Sequence, residues 1–254
     1  MNTQRGAKLK KLFGLQRPGA VYLSKWLESQ GISRELQKVY RKNKWLESVG
    51  AGALKRPGDW VGWQAALHAM QQQAKLQVHA GALTALSQQG AAHYFRMREE
   101  TVFLFSPPKI ALPGWFVKNK WGHPINHIKT KFLPDDLALT LREEENFAFA
   151  VSAPERAILE CLYLAVRKID LAECLHLMEG LSNLRPNVLQ ELLGSCASVK
   201  VKRLFLYMAD KAQHQWLSFI DQKIIDVGTG DRSITKGGTY ISDFRITVPK
   251  EIVR

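Results

Sequence analysis

The most constraining stretch of the 254-residue chain runs from Tyr22 to Arg56, where two helical patterns and two short extended runs follow one another with little slack. Tyr22, Leu23, Trp26 and Leu27 recur at helical spacing, which predicts an amphipathic helix of two to three turns. Gly31 can take the left-handed conformation that ends it, and Ser33 can cap the next helix. In that second helix Leu36, Val39, Tyr40 and Asn43 fall on one face, with Arg34, Gln37, Lys38 and Arg41 opposite. Beyond it, Trp45 to Val49 and Ala53 to Arg56 can pair as strands around Gly50-Ala51-Gly52. Helix, tight turn, helix and hairpin together predict a winged helix-turn-helix.

Charge is concentrated in the same region. Residues 1–58 hold thirteen of the 36 Lys and Arg but three of the 23 Asp and Glu, and so ten of the thirteen net positive charges. Such an asymmetry points to a polyanionic partner. A basic stripe can also be a solvated face, but here it coincides with a hairpin, a wing and a basic leader of Lys8, Lys10, Lys11 and Arg17. Double-stranded DNA is the expected partner. Arg34 and Gln37 are candidate base readers, because guanidinium and amide groups make paired contacts to guanine and adenine edges. Arg41 joins them on the groove-facing stripe, while Lys38, Lys44, Lys55 and Arg56 suit phosphates.

Several classes are excluded by composition. With 46% hydrophobic residues and seven Trp the chain is an ordinary globular sequence, and no apolar run is long enough for a membrane span. The short apolar stretch after the basic start does not make a signal-peptide core, so a cytoplasmic location is expected. Cys161, Cys174 and Cys196 lack CxxC spacing and sit in apolar helical patterns, as reduced packing residues would.

Behind the basic region, Asp59 is expected to cap a helix through Gln72, and a second helix covers Leu83 to Gln89. From His93 strand patterns take over: Tyr94–Met97 and Thr101–Phe105 as a pair, then Asn126–Leu133 and Asn146–Val151. The predicted organisation is therefore a DNA-binding domain over residues 1–92, with a winged-helix core to about residue 57 and a helical extension over 58–92. A mixed α/β C-terminal domain follows over 93–254, and the fold class is α+β. In that domain Ser152 and Glu155 read as a capping box, and further helices fit Leu171–Glu179, Pro186–Ser195 and Val199–Lys211. The tail from Lys223 to Val248 returns to strands, with turns at Gly228-Thr229-Gly230-Asp231 and Lys236-Gly237-Gly238.

Catalytic and metal chemistry finds weak purchase. His123 and His127 have ligand-like spacing, but Pro124 opposes the helix that would align them and no third ligand is near in sequence. Asp135-Asp136 and Glu143-Glu144-Glu145 lie in a polar connection with no nucleophile or base beside them. Gly228-Thr229-Gly230 lacks the following helix that a phosphate loop needs. Gly237-Gly238-Thr239 opens like a nucleotidyltransferase motif, but Asp243 alone follows where a carboxylate pair is required. No catalytic residue, metal or cofactor is assigned.

Three longer stretches carry a resemblance. Ser152-Ala-Pro-Glu-Arg-Ala-Ile-Leu-Glu160, Met178-Glu-Gly-Leu-Ser-Asn-Leu-Arg-Pro186 and Val199-Lys-Val-Lys-Arg-Leu-Phe-Leu-Tyr207 resemble the AbiEi antitoxins of AbiE toxin–antitoxin systems. Leu54-Lys-Arg-Pro-Gly-Asp59 with Trp63, Val78-His-Ala-Gly-Ala-Leu-Thr-Ala85 and Ile246-Thr-Val-Pro249 extend it nearly end to end. The resemblance implies a winged-helix autorepressor that binds promoter repeats of its own operon. It also implies a functional partner, an AbiEii-like nucleotidyltransferase toxin, countered through the C-terminal domain with or without direct contact. Lys200, Lys202 and Arg203, at a helix start where the dipole disfavours cations, form a second candidate anion contact, a solvated helix end being the alternative. Two other functions stay open: a nuclease or nucleotidyltransferase that holds its substrate with the hairpin, and a plain repressor without a toxin.

Overall fold

The computed structural model describes residues 2–89 and 101–253. In chain order the elements are α1 (Asn2–Leu15), β1 (Val21–Leu23), α2 (Ser24–Ser29), α3 (Arg34–Lys42), β2 (Glu47–Gly50), β3 (Ala53–Lys55) and α4 (Trp63–Gln72). Next come β4 (His79–Ala80), α5 (Ala82–Gln88), β5 (Val102–Ser106), α6 (Gly114–Lys118), β6 (Ile125–Lys129), β7 (Leu139–Glu143) and β8 (Ala148–Ser152). Helices α7 (Pro154–Leu164), α8 (Leu171–Gly180), α9 (Pro186–Ser195) and α10 (Val199–Lys211) precede a tail with β9 (Arg232–Ser233), β10 (Thr239–Ile241) and β11 (Ile246–Val248). Helix and sheet are mixed, as the α+β expectation has it.

The chain divides into two compact units that interleave along the sequence: residues 1–79, 109–124 and 141–150 form one, and 80–108, 125–140 and 151–254 the other. The sequence reading places a single break at 92/93, a position that lies outside the described residues.

In the first unit α1, β1, α2, α3, β2 and β3 build a winged helix whose sheet runs in the order β1-β3-β2, antiparallel throughout. Its core is Leu12, Ala20, Tyr22, Leu27, Ile32, Tyr40, Leu46 and Leu54. Each large member contributes about 1.5–3 kcal/mol by leaving water. Tyr22 and Leu23, read from the sequence as the start of a helix, instead form β1, and α2 is six residues long. Both residues are buried on the sheet, opposite Leu54 and Ala53. The free edge of β1 is covered by the Gln73 side chain, which accepts from Leu23 N at 2.7 Å and donates to Val21 O at 2.7 Å. Gly31, at φ +85°, ends the turn after α2, and the Ser33 hydroxyl accepts from Leu36 N, as expected.

Asp59 does not cap α4. That helix starts at Trp63 behind Gly62, and the Asp59 carboxylate instead accepts from Gly19 N at 2.8 Å and Arg56 Nε at 3.1 Å. It ties the leader to the connection after the wing. Gln71 of α4 donates to Val78 O and Ala150 O and accepts from Ala150 N, so residues 148–150 pack against this helix within the unit.

In the second unit β5 and β6 pair in parallel from Val102↔Ile125 to Ser106↔Lys129, and β4 meets β8 at Ala80↔Val151. The sheet order is β6-β5-β4-β8-β7. The expected hairpin partner of β5, residues 94–97, lies outside the described residues. Helices α5 and α7 pack against each other through a fully buried carboxylate. Glu160 accepts from Ala82 N at 2.9 Å, Ser152 Oγ at 2.7 Å and Arg156 Nε at 2.8 Å. Ser152 and Glu155 therefore do not form a capping box. Ala153 precedes α7, Pro154 opens it, and Glu155 turns to Arg185, whose Nε and Nη2 donate to it at 2.9 and 3.0 Å. Helices α9 and α10 span the predicted residues, and α10 is buried nearly all round.

Candidate nucleic-acid interface

Helix α3 has two unlike faces. Gln37 and Tyr40 point inward, 4% and 3% exposed, while Arg34, Glu35, Lys38, Val39, Arg41 and Lys42 face solvent. The predicted stripe is thus rotated. Val39 was expected in the core but is 47% exposed, and Gln37, expected among the base readers, is inside. Its Oε1 accepts from Ser24 Oγ at 2.6 Å, and its Nε2 donates to Ser24 O at 3.1 Å and Ile32 O at 2.8 Å. An amide with all these bonds made is not available to an adenine edge. It fixes α3 against α2 instead.

The outward face keeps its basic character and gains Lys42, which the sequence reading passed over although it directly follows Arg41. Lys38, Arg41 and Lys42 make no ion pair among the described residues. Arg34 is 63% exposed and its Nε lies 3.1 Å from Glu28, a pair of the kind that solvent screens and that can exchange for an outside anion. Glu35 sits on the same face, its carboxyl held below the usual range by its own backbone amide and the Ser33 hydroxyl.

The wing forms where it was expected. Strands β2 and β3 pair from Glu47↔Lys55 to Gly50↔Ala53, with a bulge between Ser48 and Gly50, and Gly52 takes φ +84° in the turn. Two of its candidate phosphate contacts are engaged. Lys55 donates to Asp59 O at 2.6 Å and lies 3.3 Å from Glu47, and Arg56 is paired with Asp59. Lys44 is exposed, at φ +56°, in the turn after α3. An exposed basic leader adds Lys8, Lys10, Lys11 and Arg17 to the same unit.

The second candidate anion contact does not survive as drawn. Lys202 is 5% exposed and Arg203 1%, because α10 runs through the middle of its unit and not along a surface. Arg203 donates to Val227 O, Gly228 O, Gly230 O and Arg245 O at 2.7–2.9 Å. The Gly228-Thr229-Gly230 turn thus presents carbonyls to a buried guanidinium. Lys200 is half-buried and donates to Tyr163 O at 3.0 Å. His127, the second of the spaced histidines, shares a 2.8 Å contact with Ser106 Oγ. Among the described residues no group of three metal-ligating side chains occurs.

Comparison with known families covers the chain almost completely. Residues 5–97 match the family described as "Transcriptional regulator, AbiEi antitoxin N-terminal domain", and residues 99–249 match "Transcriptional regulator, AbiEi antitoxin, Type IV TA system". This chain belongs to the AbiEi antitoxin family. The AbiEi resemblance carried by the α7 and α10 stretches and by Met178–Pro186 is thereby established, and with it a transcriptional-regulator antitoxin of a type IV toxin–antitoxin system. Among solved structures, the RV2827C protein from Mycobacterium tuberculosis is similar with a TM-score of 0.59 at 12% identity, over 96% of this chain and 90% of that one. At that identity the likeness concerns the fold. No curated protein matches the chain. An AbiEi regulator implies DNA and a toxin as partners, and no described helix is long and apolar enough to cross a membrane.

Proposed function

We propose that this AbiEi protein represses its own operon by placing α3 in the major groove of promoter repeats, and that it counters a nucleotidyltransferase-type toxin without itself catalysing a reaction. Its place of action is the cytoplasm. The observation that carries the reading is the division of α3: Ser24 and Gln37 lock one face, which leaves Arg34, Lys38, Arg41 and Lys42 projecting together. Arg34 and Arg41 are the base-reading candidates, whereas Lys38, Lys42 and Lys44 neutralise phosphate. Lys55 and Arg56 contribute at the wing by exchanging Glu47 and Asp59 for the flanking backbone.

The test is fluorescence anisotropy of the full-length protein on its own promoter and on a scrambled duplex, at one fixed salt concentration. A preference of about a thousandfold or more is expected for a specific regulator. Equal affinity for the two duplexes overturns the autorepressor reading. In cells expressing the toxin, Lys38→Ala/Arg41→Ala is expected to lose repression and keep growth rescue, and joint loss in a folded variant argues for a plain repressor.

A further inference from the structure

A cavity of about 570 Å³ lies in the second unit, lined in part by His127, Arg167, Lys168, Ser198, Lys200 and Ser233. Among the described residues no carboxylate lines it. The lining also includes the apolar residues Ile128, Leu164, Val166 and Ile234. That size is within the range of small-molecule sites, and the combination of cationic and apolar lining residues fits an amphiphilic anion.

The cationic groups are held in place. Lys200 Nζ is anchored on Tyr163 O, and Lys168 Nζ donates to Asn126 Oδ1 at 2.8 Å. Arg167 and Lys168 are carried by a tight loop whose Val166 takes φ +74°, a costly conformation for a β-branched residue. The loop is fixed by Val166 N donating to Ile169 O at 2.9 Å and Lys168 N to Leu164 O at 3.0 Å. Burial, then the neighbouring Arg167 charge, pushes the Lys200 ammonium below its usual range. Two like charges are thus brought together with no carboxylate among the described lining residues, a repulsion that a bound anion would relieve. Ser198 caps α10 through Val201 N, so the positive end of a 13-residue helix lies at the same edge.

The geometry points to a binding site for a small phosphate-bearing molecule of mononucleotide size, its phosphate on Lys200, Arg167 and Lys168 and its ring against Ile128, Val166 and Ile234. A concave site with its lysine half-buried suits a small molecule better than the convex backbone of a duplex. Tyr163 is stacked on Phe132 at 4.3 Å, so its ring is held as part of the wall. The site would let an AbiEi regulator respond to a nucleotide through a unit other than its winged helix.

Isothermal titration calorimetry on the DNA-free full-length protein tests this, with AMP, inorganic phosphate and adenosine as probes. AMP is expected to bind, inorganic phosphate more weakly, and adenosine not detectably. Lys200→Gln and Arg167→Gln are each expected to weaken AMP by about tenfold or more. Arg167 is exposed, so its variant reports on the site even if Lys200→Gln perturbs folding, and thermal midpoints of both are measured alongside. No AMP binding up to about 1 mM overturns the proposal. So does AMP binding unchanged in both folded variants.

Discussion

Ser24 and Gln37 are joined twice, the hydroxyl of Ser24 donating to the Gln37 amide oxygen at 2.6 Å while its carbonyl accepts from the amide nitrogen at 3.1 Å. The first residue of α2 is thereby clasped to the middle of α3, and the angle between the two helices of the hairpin is set by a polar contact inside an apolar cluster. Gln37→Ala leaves the Ser24 hydroxyl and the Ile32 carbonyl without this partner. A loss of about 1–3 kcal/mol in urea unfolding is expected, with base preference of the folded fraction unchanged. A variant that keeps its stability and changes its base preference would return Gln37 to the reading face.

Removing outward charge has the opposite profile. Lys38→Ala and Lys42→Ala are expected to leave stability within about 0.5 kcal/mol, because both side chains are exposed and neither is ion-paired among the described residues. Each should flatten the plot of log affinity against log salt by about 0.9 if it neutralises one phosphate, on promoter and random DNA alike. An unchanged slope in both would remove them from the interface.

Arg203 holds the tail. Its four carbonyl acceptors lie on residues 227, 228, 230 and 245, so one side chain ties α10 to the segments that lead into the parallel strands β9 and β11. Arg203→Met fills much of the buried volume but leaves those four part-buried carbonyls without their donor. A loss of about 3 kcal/mol or more is expected, with limited proteolysis cutting first between residues 223 and 248. Uniform resistance of the tail to protease would contradict this role.

Glu155 makes acid stability depend on Arg185. Burial pushes the Glu155 carboxyl up, but the Arg185 side-chain and backbone bonds outweigh it, and the net shift is below the ordinary 4.5. The folded state therefore binds this proton less readily than the unfolded one. The stabilisation is complete above the ordinary value and is lost as the pH falls through the lowered one. Arg185→Ala removes the side-chain bonds that lower this pKa while keeping the backbone one, and should move the acid-unfolding midpoint to higher pH, followed by tryptophan fluorescence. An unmoved midpoint would show that the pair does not govern acid unfolding.

Legibility in the sequence followed how local each cause is. Pro186 at the start of α9 and Ser198 before α10 act on the residues beside them, and both helices have the predicted bounds. The wing was legible because Gly50-Ala51-Gly52 fixes its turn. Strand β1 was not, since Tyr22 and Leu23 satisfy helical spacing with Trp26 and Leu27 as well as they satisfy a strand, and pairing with Leu54 decides. The face of α3 was misjudged because with so few apolar residues its rotation depends on Ser24, a residue ten positions before its start. Lys202 and Arg203 looked like a basic helix end for a related reason: the carbonyls that receive Arg203 come from a segment more than twenty residues later.

Gly50, on the wing strand β2, lies so close to Trp115 of α6 that a Cβ built on it would stand 2.9 Å from the tryptophan Cβ. The brace for a wing made by residues 47–55 is therefore supplied from the middle of the gene. A fragment ending at residue 92 would carry the wing without its buttress, and its complement would carry a buttress with nothing to support. Exchanging residues 1–92 for those of another regulator would part β2 from its own Trp115 and is expected to weaken the wing.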